Sequence, residues 1–243
     1  MGLQNRVEPK RSLGQNFFAN EELAKKITNI VLESSPKHIT EIGPGKGAFT
    51  KAFYETTVPL TVVEKDSHLS RILKKTFPKA DIHNIDFLEF DLANSNTTYF
   101  GSLPFNVSDE IIDRIIKSNT FNNPSFFIIQ KEVAEKYLNR GNNPLGLITK
   151  IYADCEIVLG IKAGNFKPRP NVDASFIKFV PYNRYTHVDR VDLEKLIIRS
   201  FKQPRKTLKN NLKQYSYKIR NDLELKRAHE LNLDMYISIL QNS

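Results

Sequence analysis

The stretch Glu41-Ile42-Gly43-Pro44-Gly45-Lys46-Gly47-Ala48-Phe49-Thr50 constrains this chain more than any other. An apolar-rich run over 37–42 leads into it and a short amphipathic segment, Ala48 to Tyr54, follows. Strand, glycine turn and helix in that order let backbone N–H groups approach a bound cofactor, because glycine has no Cβ to hold it off. A phosphate-cradling Walker loop does not fit: Lys46 is followed by Gly47 rather than Ser or Thr. Two readings stay open. One is a dinucleotide fingerprint on Gly43, Gly45 and Ala48, with Glu64 about 20 residues on. The other is an adenosylmethionine-binding loop, with one acid ending the first strand and Glu64 ending the second. A tight turn with no ligand is the plainer alternative.

Two further acids narrow the chemistry. Leu60-Thr61-Val62-Val63-Glu64 is β-branched and apolar and stops at a carboxylate, and Asp86 repeats this after Asp81-Ile82-His83-Asn84-Ile85. A carboxylate at the end of a parallel strand can accept both hydroxyls of a ribose. The second could accept from an adenine amine. Either alone would read as a solvated helix cap; two in succession argue for a site.

Strand patterns near 59–64, 81–86, 97–101 and 125–130 alternate with helical ones near 67–76, 108–118 and 131–140. That alternation predicts an α/β fold, a mostly parallel sheet with helices on both faces. Leu145 to Ala153 reads as helix, and Cys155–Ile161 and Ala174–Val180 as a late pair of strands. Asn20 is placed to cap a helix carrying Leu23, Ile27, Ile30 and Val31 on one face. Strand signals stop at Pro181-Tyr182-Asn183-Arg184, which divides the chain into a domain of residues 1–182 and a small all-helical C-terminal domain of residues 183–243. Helical patterns there cover Val191–Ile198, Thr207–Leu212 and Ala228–Leu240.

Charge points to a polyanion. The net charge is +9, and nine Lys or Arg stand between Lys195 and Arg220 with no Asp or Glu among them. A merely solvated helix face normally alternates sign, so the block reads as a phosphate-backbone footprint, with Arg205, Lys206, Lys209 and Lys213 its candidate RNA contacts. One cysteine, Cys155, and five scattered histidines leave no metal site in prospect. No apolar run reaches the ~20 residues of a membrane span. A cytoplasmic protein without membrane or metal partners is expected.

Tyr99-Phe100-Gly101-Ser102-Leu103-Pro104-Phe105-Asn106-Val107-Ser108 closes a strand and opens a helix. Proline stiffens the turn, and Phe105 beside it offers an aromatic face. Chemistry on a base needs that base out of its stack and held between aromatic faces. Phe166, in the proline-rich Phe166-Lys167-Pro168-Arg169-Pro170, is a candidate second face. Ordinary core packing is the plainer alternative for both rings.

With these motifs in place the chain resembles the ribosomal RNA adenine dimethyltransferases that act on small-subunit rRNA. The resemblance rests on Ser12-Leu13-Gly14-Gln15-Asn16-Phe17, the Glu41–Gly45 loop, Gln130-Lys131-Glu132-Val133, Phe166 through Asp173, Ser200 through Asn210, and Arg227-Ala228-His229-Glu230-Leu231. It implies a class I methyltransferase (Rossmann-like) sheet with S-adenosyl-L-methionine as cofactor, and cofactor contacts at Asn16, Phe18, Gly43, Gly45, Glu64, Asp86 and Ser102. It implies that Ser102, Leu103, Pro104, Phe105 and Phe166 carry the methylation, with small-subunit rRNA and its assembling particle as partners and a monomeric enzyme. One departure matters: the family's catalytic turn begins with asparagine where this chain has Ser102. A methyltransferase-like assembly factor with weak or lost catalysis is therefore kept as an alternative. The related large-subunit methyltransferases of macrolide resistance are a lesser one, because the Arg205-Lys206-Thr207-Leu208 block points away from them. The dinucleotide reading leaves both the Leu103-Pro104-Phe105 turn and the basic block unexplained.

Overall fold

The computed structural model describes residues 16–138, 142–182 and 184–243. The N-terminal motif up to Gln15, the predicted helix beyond 138, and Asn183 lie outside the described residues. The elements run β1 (Phe17–Phe18), α1 (Glu21–Glu33), β2 (His38–Ile42), α2 (Ala48–Tyr54), β3 (Leu60–Val63), α3 (Ser67–Thr76), β4 (Asp81–His83), β5 (Thr97–Ser102), α4 (Ser108–Ile116) and β6 (Ser125–Gln130). They continue through α5 (Lys131–Tyr137), α6 (Pro144–Tyr152), β7 (Ala153–Ile161), β8 (Phe166–Lys167), β9 (Ala174–Pro181), α7 (Arg190–Ser200), α8 (Leu208–Leu212), α9 (Asn221–Glu224) and α10 (Leu233–Gln241).

Seven strands form one sheet in the order β4-β3-β2-β5-β6-β9-β7. The pairs β2–β3, β3–β4, β2–β5 and β5–β6 are parallel, and β9 is antiparallel to β6. The chain runs outward from β2 to β4 and returns to the other side of β2 at β5. That reversal opens a crevice past the carboxyl ends of β2 and β5, the usual ligand position in such sheets. Parallel strands covered on both faces must be apolar almost throughout. Accordingly Ile39, Val62, Phe100, Phe126 and Ile128 are buried in one core with Ile27 and Val31 of α1 and Phe49 and Phe53 of α2. At the opposite edge His38 bridges the hydroxyls of Thr97 (2.9 Å) and Thr61 (3.1 Å), tying three neighbouring strands together.

The described residues fall into two compact units. One holds the residues up to Lys131 together with Glu156–Val180; the other holds Glu132–Cys155 and Pro181–Ser243. The segment containing α6, placed by the sequence reading with the first domain, thus joins the C-terminal helices, and α6 packs against α7. Within this unit Leu193, Leu196 and Ile197 of α7 are fully buried, as are Leu208, Leu231 and Tyr236. Tyr236 donates its hydroxyl to the Ala228 carbonyl at 3.0 Å. The helix expected over Ala228–Leu240 is broken: a 3-10 turn spans Ala228–Glu230, and Asn232 then caps α10 through Met235 N–H.

Glu41 is costly to bury in the sheet. It is 1% exposed, and its Oε2 and the Thr50 hydroxyl are buried without a hydrogen-bond partner among the described residues. Burial pushes its pKa from 4.5 to about 8; the nearby Thr50 opposes this only in part, and Glu64 adds to it. Folding therefore takes up a proton between those values, so stability falls as pH rises through that window, by at most about 1.4 kcal/mol per pH unit. Glu41→Gln should flatten the melting temperature between pH 5 and pH 8. A pH profile identical to that of the unsubstituted protein would show that Glu41 ionises as it does in the unfolded chain.

Candidate functional site

The site is built from turns at the carboxyl ends of four parallel strands. After β2 the chain turns sharply, with Gly47 N–H donating to Pro44 O at 2.9 Å. Gly43 and Gly45 both take positive φ, +62° and +58°, where side-chain-bearing residues are strained. At Gly45 a Cβ would also lie 2.8 Å from the Phe17 ring, so neither the backbone nor the space admits another residue. The sequence reading of a permissive glycine turn is thus met by a physical demand.

Glu64 holds this turn in place. Its Oε2 accepts Gly45 N–H at 3.2 Å and its Oε1 accepts Asp66 N–H at 2.8 Å. Asp66 in turn caps α3 through His68 N–H and Leu69 N–H. Glu64 is only 5% exposed, far from the solvated strand-end acid of the plainer reading. Burial raises its pKa, and backbone N–H groups of Asp66, Gly45 and Lys65 offset part of that. Each carboxylate oxygen has a second lone pair left for a ligand hydroxyl.

Asp86 lies beyond the end of β4, which stops at His83. It caps a 3-10 turn over Phe87–Glu89 through Leu88 N–H and accepts from Lys65 Nζ at 2.6 Å. The Lys65 hydrogen bond holds its carboxyl below the ordinary range. Arg114 of α4 fixes this turn by donating to the carbonyls of Phe87 and Phe90.

Ser102 ends β5 half-buried, and Leu103 N–H donates to Ile128 O at 3.0 Å, anchoring the next turn to β6. Leu103 is buried, whereas Pro104 and Phe105 are half-exposed. Phe166 is 3% exposed. It pairs with Phe18 across β1 and β8 and meets the Phe18 ring edge-on at 5.2 Å. Core packing accounts for most of its surface, and the half-open aromatic face is that of Phe105.

These residues surround one cavity of about 240 Å³. Asn16, Gly43, Gly45, Glu64, Asp86, Ser102, Leu103, Pro104, Phe105 and Phe166 all line it. Phe18 does not; it packs on Phe49 (4.7 Å) and reaches only an adjoining cavity of about 30 Å³, beside Glu41, Lys46 and Ser102. Sequence reasoning missed Phe17, Lys65 and Asn106 as lining residues. Phe17 and Asn106 stand inside motifs already singled out, but neither carries a periodicity that separates wall from core. Lys65 shows no signal of its own. Arg205, Lys206, Lys209 and Lys213 belong to the C-terminal unit and are all exposed. Lys209 pairs with Glu224 at 2.7 Å. Among the described residues no three His, Cys, Asp or Glu side chains gather as metal ligands, and no helix is long and apolar enough to cross a membrane.

The family model for ribosomal RNA adenine dimethylase matches residues 6–241. The chain belongs to that family. It is 34% identical over 220 residues to the ribosomal RNA small subunit methyltransferase A of Malacoplasma penetrans, covering 87% of this chain and 80% of that protein. It is 32% identical over 225 residues to the Francisella tularensis protein of the same name, covering 87% and 86%. Among solved structures it resembles a dimethyladenosine transferase from Plasmodium falciparum, with TM-score 0.77, 18% identity and coverage of 93% and 96%. It also resembles the 23S rRNA methyltransferase ErmE, with TM-score 0.73, 19% identity and coverage of 93% and 100%. At those identities the two structures attest the fold, a class I methyltransferase. As a member of the family the chain is an adenine dimethyltransferase that uses S-adenosyl-L-methionine. The cavity fits such a cofactor: a Cβ at Gly43 would enter open space that the glycine leaves clear, and Glu64 lines the same cavity with acceptor capacity to spare.

Glu64→Ala should lower adenosylmethionine affinity about 10- to 100-fold, the usual cost of losing hydrogen bonds to a charged group, and should lower the melting temperature as Gly45 and Asp66 lose their acceptor. Calorimetry showing wild-type affinity for a folded Glu64→Ala protein would remove Glu64 from the cofactor site.

Proposed function

We propose that this enzyme dimethylates adenine exocyclic amines of small-subunit ribosomal RNA, acting as a cytoplasmic monomer on the assembling particle. The observation that carries the reading is the Ser102–Phe105 turn, which opens on the same cavity as Gly43, Gly45, Glu64 and Asp86. The two curated relatives named for the small subunit favour that RNA over the large-subunit alternative.

When bound, adenosylmethionine supplies a methyl group already activated by a sulfonium, so no metal or covalent enzyme intermediate is required. The residues then have positioning work. In our reading Glu64 accepts the ribose hydroxyls and Asp86 the adenine amine of the cofactor, Asp86 through lone pairs that Lys65 and Leu88 leave free. Asn16 and the Gly43–Gly45 backbone close one side of the cradle, with Phe18 supporting it from the core. Phe105 stacks on the target base, Phe166 backs the wall behind it, and Pro104 keeps the turn rigid. Ser102 and the main chain at Leu103 accept from the amine hydrogens, biasing its lone pair toward the methyl. The C-terminal helices, with Arg205, Lys206, Lys209 and Lys213, hold the RNA backbone.

Ser102 supports a second reading, in which catalysis is slow and the protein's part in assembly weighs more. A serine hydroxyl reaches less far than an asparagine amide from the same backbone position. Ser102→Asn should raise single-turnover methylation of immature small subunits by up to about 10²-fold, at unchanged adenosylmethionine affinity. Fast wild-type turnover unaffected by Ser102→Asn would mean that the turn's backbone suffices. No methylation by either variant would leave the assembly-factor reading.

The basic surface has its own signature. Lys202, Arg205, Lys206, Lys213 and Lys218 make no ion pair among the described residues, whereas Lys195, Lys209 and Arg220 pair with Asp192, Glu224 and Asp222. Reversing Lys206 and Lys213 to Glu should weaken RNA binding and lower the slope of log affinity against log salt by about 0.7 for each phosphate that is no longer neutralised. An unchanged slope would place the footprint elsewhere.

A further inference from the structure

The nine cations between Lys195 and Arg220 are not all alike. Eight are exposed, while Arg199, on α7, is half-buried and spent on two tyrosines. Its guanidinium lies 4.2 Å from the centroid of the Tyr215 ring and 5.9 Å from that of Tyr217. Its Nη1 donates to the Tyr217 hydroxyl at 2.8 Å. The two rings are 6.1 Å apart and inclined at 49°. Gln214 Nε2 donates to the Tyr215 hydroxyl at 2.9 Å, so both phenol oxygens are held and neither ring turns freely.

The backbone beneath them is pinned as well. Tyr215 N–H donates to Leu212 O at 2.9 Å, and Lys218 N–H donates to the Ser243 hydroxyl at 2.9 Å. Between α8 and α9 the chain is irregular, and what brings the two rings together is the shared Arg199 guanidinium rather than a strand. Both remain half-exposed, although Tyr236 of the same unit is completely buried. Two ordered, partly open aromatic rings thus belong to the same unit and basic stretch as Lys202, Arg205, Lys206, Lys213 and Lys218, which are exposed and make no ion pair among the described residues.

Cations alone suit any polyanion. Ordered aromatic rings among them suit one whose charges alternate with flat π-surfaces, which is single-stranded nucleic acid. An acidic peptide would satisfy the lysines and leave the rings without a role. We propose that Tyr215 and Tyr217, backed by Arg199, form a stacking site for an unpaired nucleobase of the RNA. This rests on the reading that the C-terminal unit binds RNA, and it adds a contact to bases where that reading has contacts to phosphates only. The site would favour loops, bulges or single strands over continuous duplex, because a paired base has no free face to offer.

The chain contains no tryptophan, so Tyr215→Trp makes a sole reporter at the site. Titrated into the Tyr215→Trp protein, a single-stranded RNA oligonucleotide should quench tryptophan emission. Inorganic polyphosphate, which has charge without bases, should bind without quenching. In parallel, Tyr215→Leu with Tyr217→Leu should weaken binding of the same oligonucleotide at least fivefold and leave the salt slope unchanged, while the double Phe variant keeps wild-type affinity. Equal quenching by RNA and polyphosphate would overturn the proposal, as would RNA binding without quenching. A double Phe variant as weak as the double Leu variant would also overturn it, assigning the effect to the phenol hydroxyls, of Tyr217 toward Arg199 and of Tyr215 toward Gln214, rather than to the rings. Failure of the unsubstituted protein to bind RNA at all would instead sink the underlying RNA reading. If the Leu variant does not fold, the emission comparison still decides.

Discussion

A single buried carboxylate organises the glycine-turn end of this sheet. Glu64 joins the glycine turn after β2 to the start of α3 by accepting one N–H from each side. Without an acceptor there, Gly45 N–H and Asp66 N–H would have to find another partner or stay unpaired, at about 1–3 kcal/mol each. The same group raises the cost of its neighbour Glu41, whose burial is already expensive. Two acids, one forming the cradle and one lying under it, make this end of the sheet polar and costly. The apolar packing of Phe49, Phe53, Phe100 and Phe176 offsets that cost. Under the proposed function, that cost belongs to a polar end able to accept a ribose.

Much of this was legible in the residues because it depends on local rules. Runs of β-branched residues ending at an acid marked β3, and the helix predicted over 67–76 is α3 to the residue. Asn20 caps α1 through Leu23 N–H, as its position before the apolar stripe foretold. The glycine turn and the Leu103-Pro104-Phe105 turn both announced themselves by composition, and they face one cavity.

The misses share a cause: they depend on contacts between residues far apart in the chain. The pairing of Phe17–Phe18 with Phe166–Lys167 is two residues long, too short for any periodicity to show. Asp86 read as a strand end, but its β4 stops three residues earlier and the acid caps a 3-10 turn whose carbonyls Arg114 holds from α4. The segment Glu132–Cys155 joined the C-terminal helices through packing of α6 on α7, and no composition shift marks that affiliation. The basic block was visible as charge, whereas the pairing of Lys209 with Glu224, fifteen residues on, was not.

The central claim is that one cavity brings a methyl donor and an unstacked adenine of small-subunit RNA together. The most direct measurement supplies isotopically labelled adenosylmethionine with immature small subunits and, separately, with large-subunit RNA, and identifies the labelled nucleosides by mass after digestion. The account predicts label in N6-methylated adenosines of the small-subunit RNA, including the dimethylated form, and none in the large-subunit RNA. Label confined to the large-subunit RNA, or carried on another base, would contradict it.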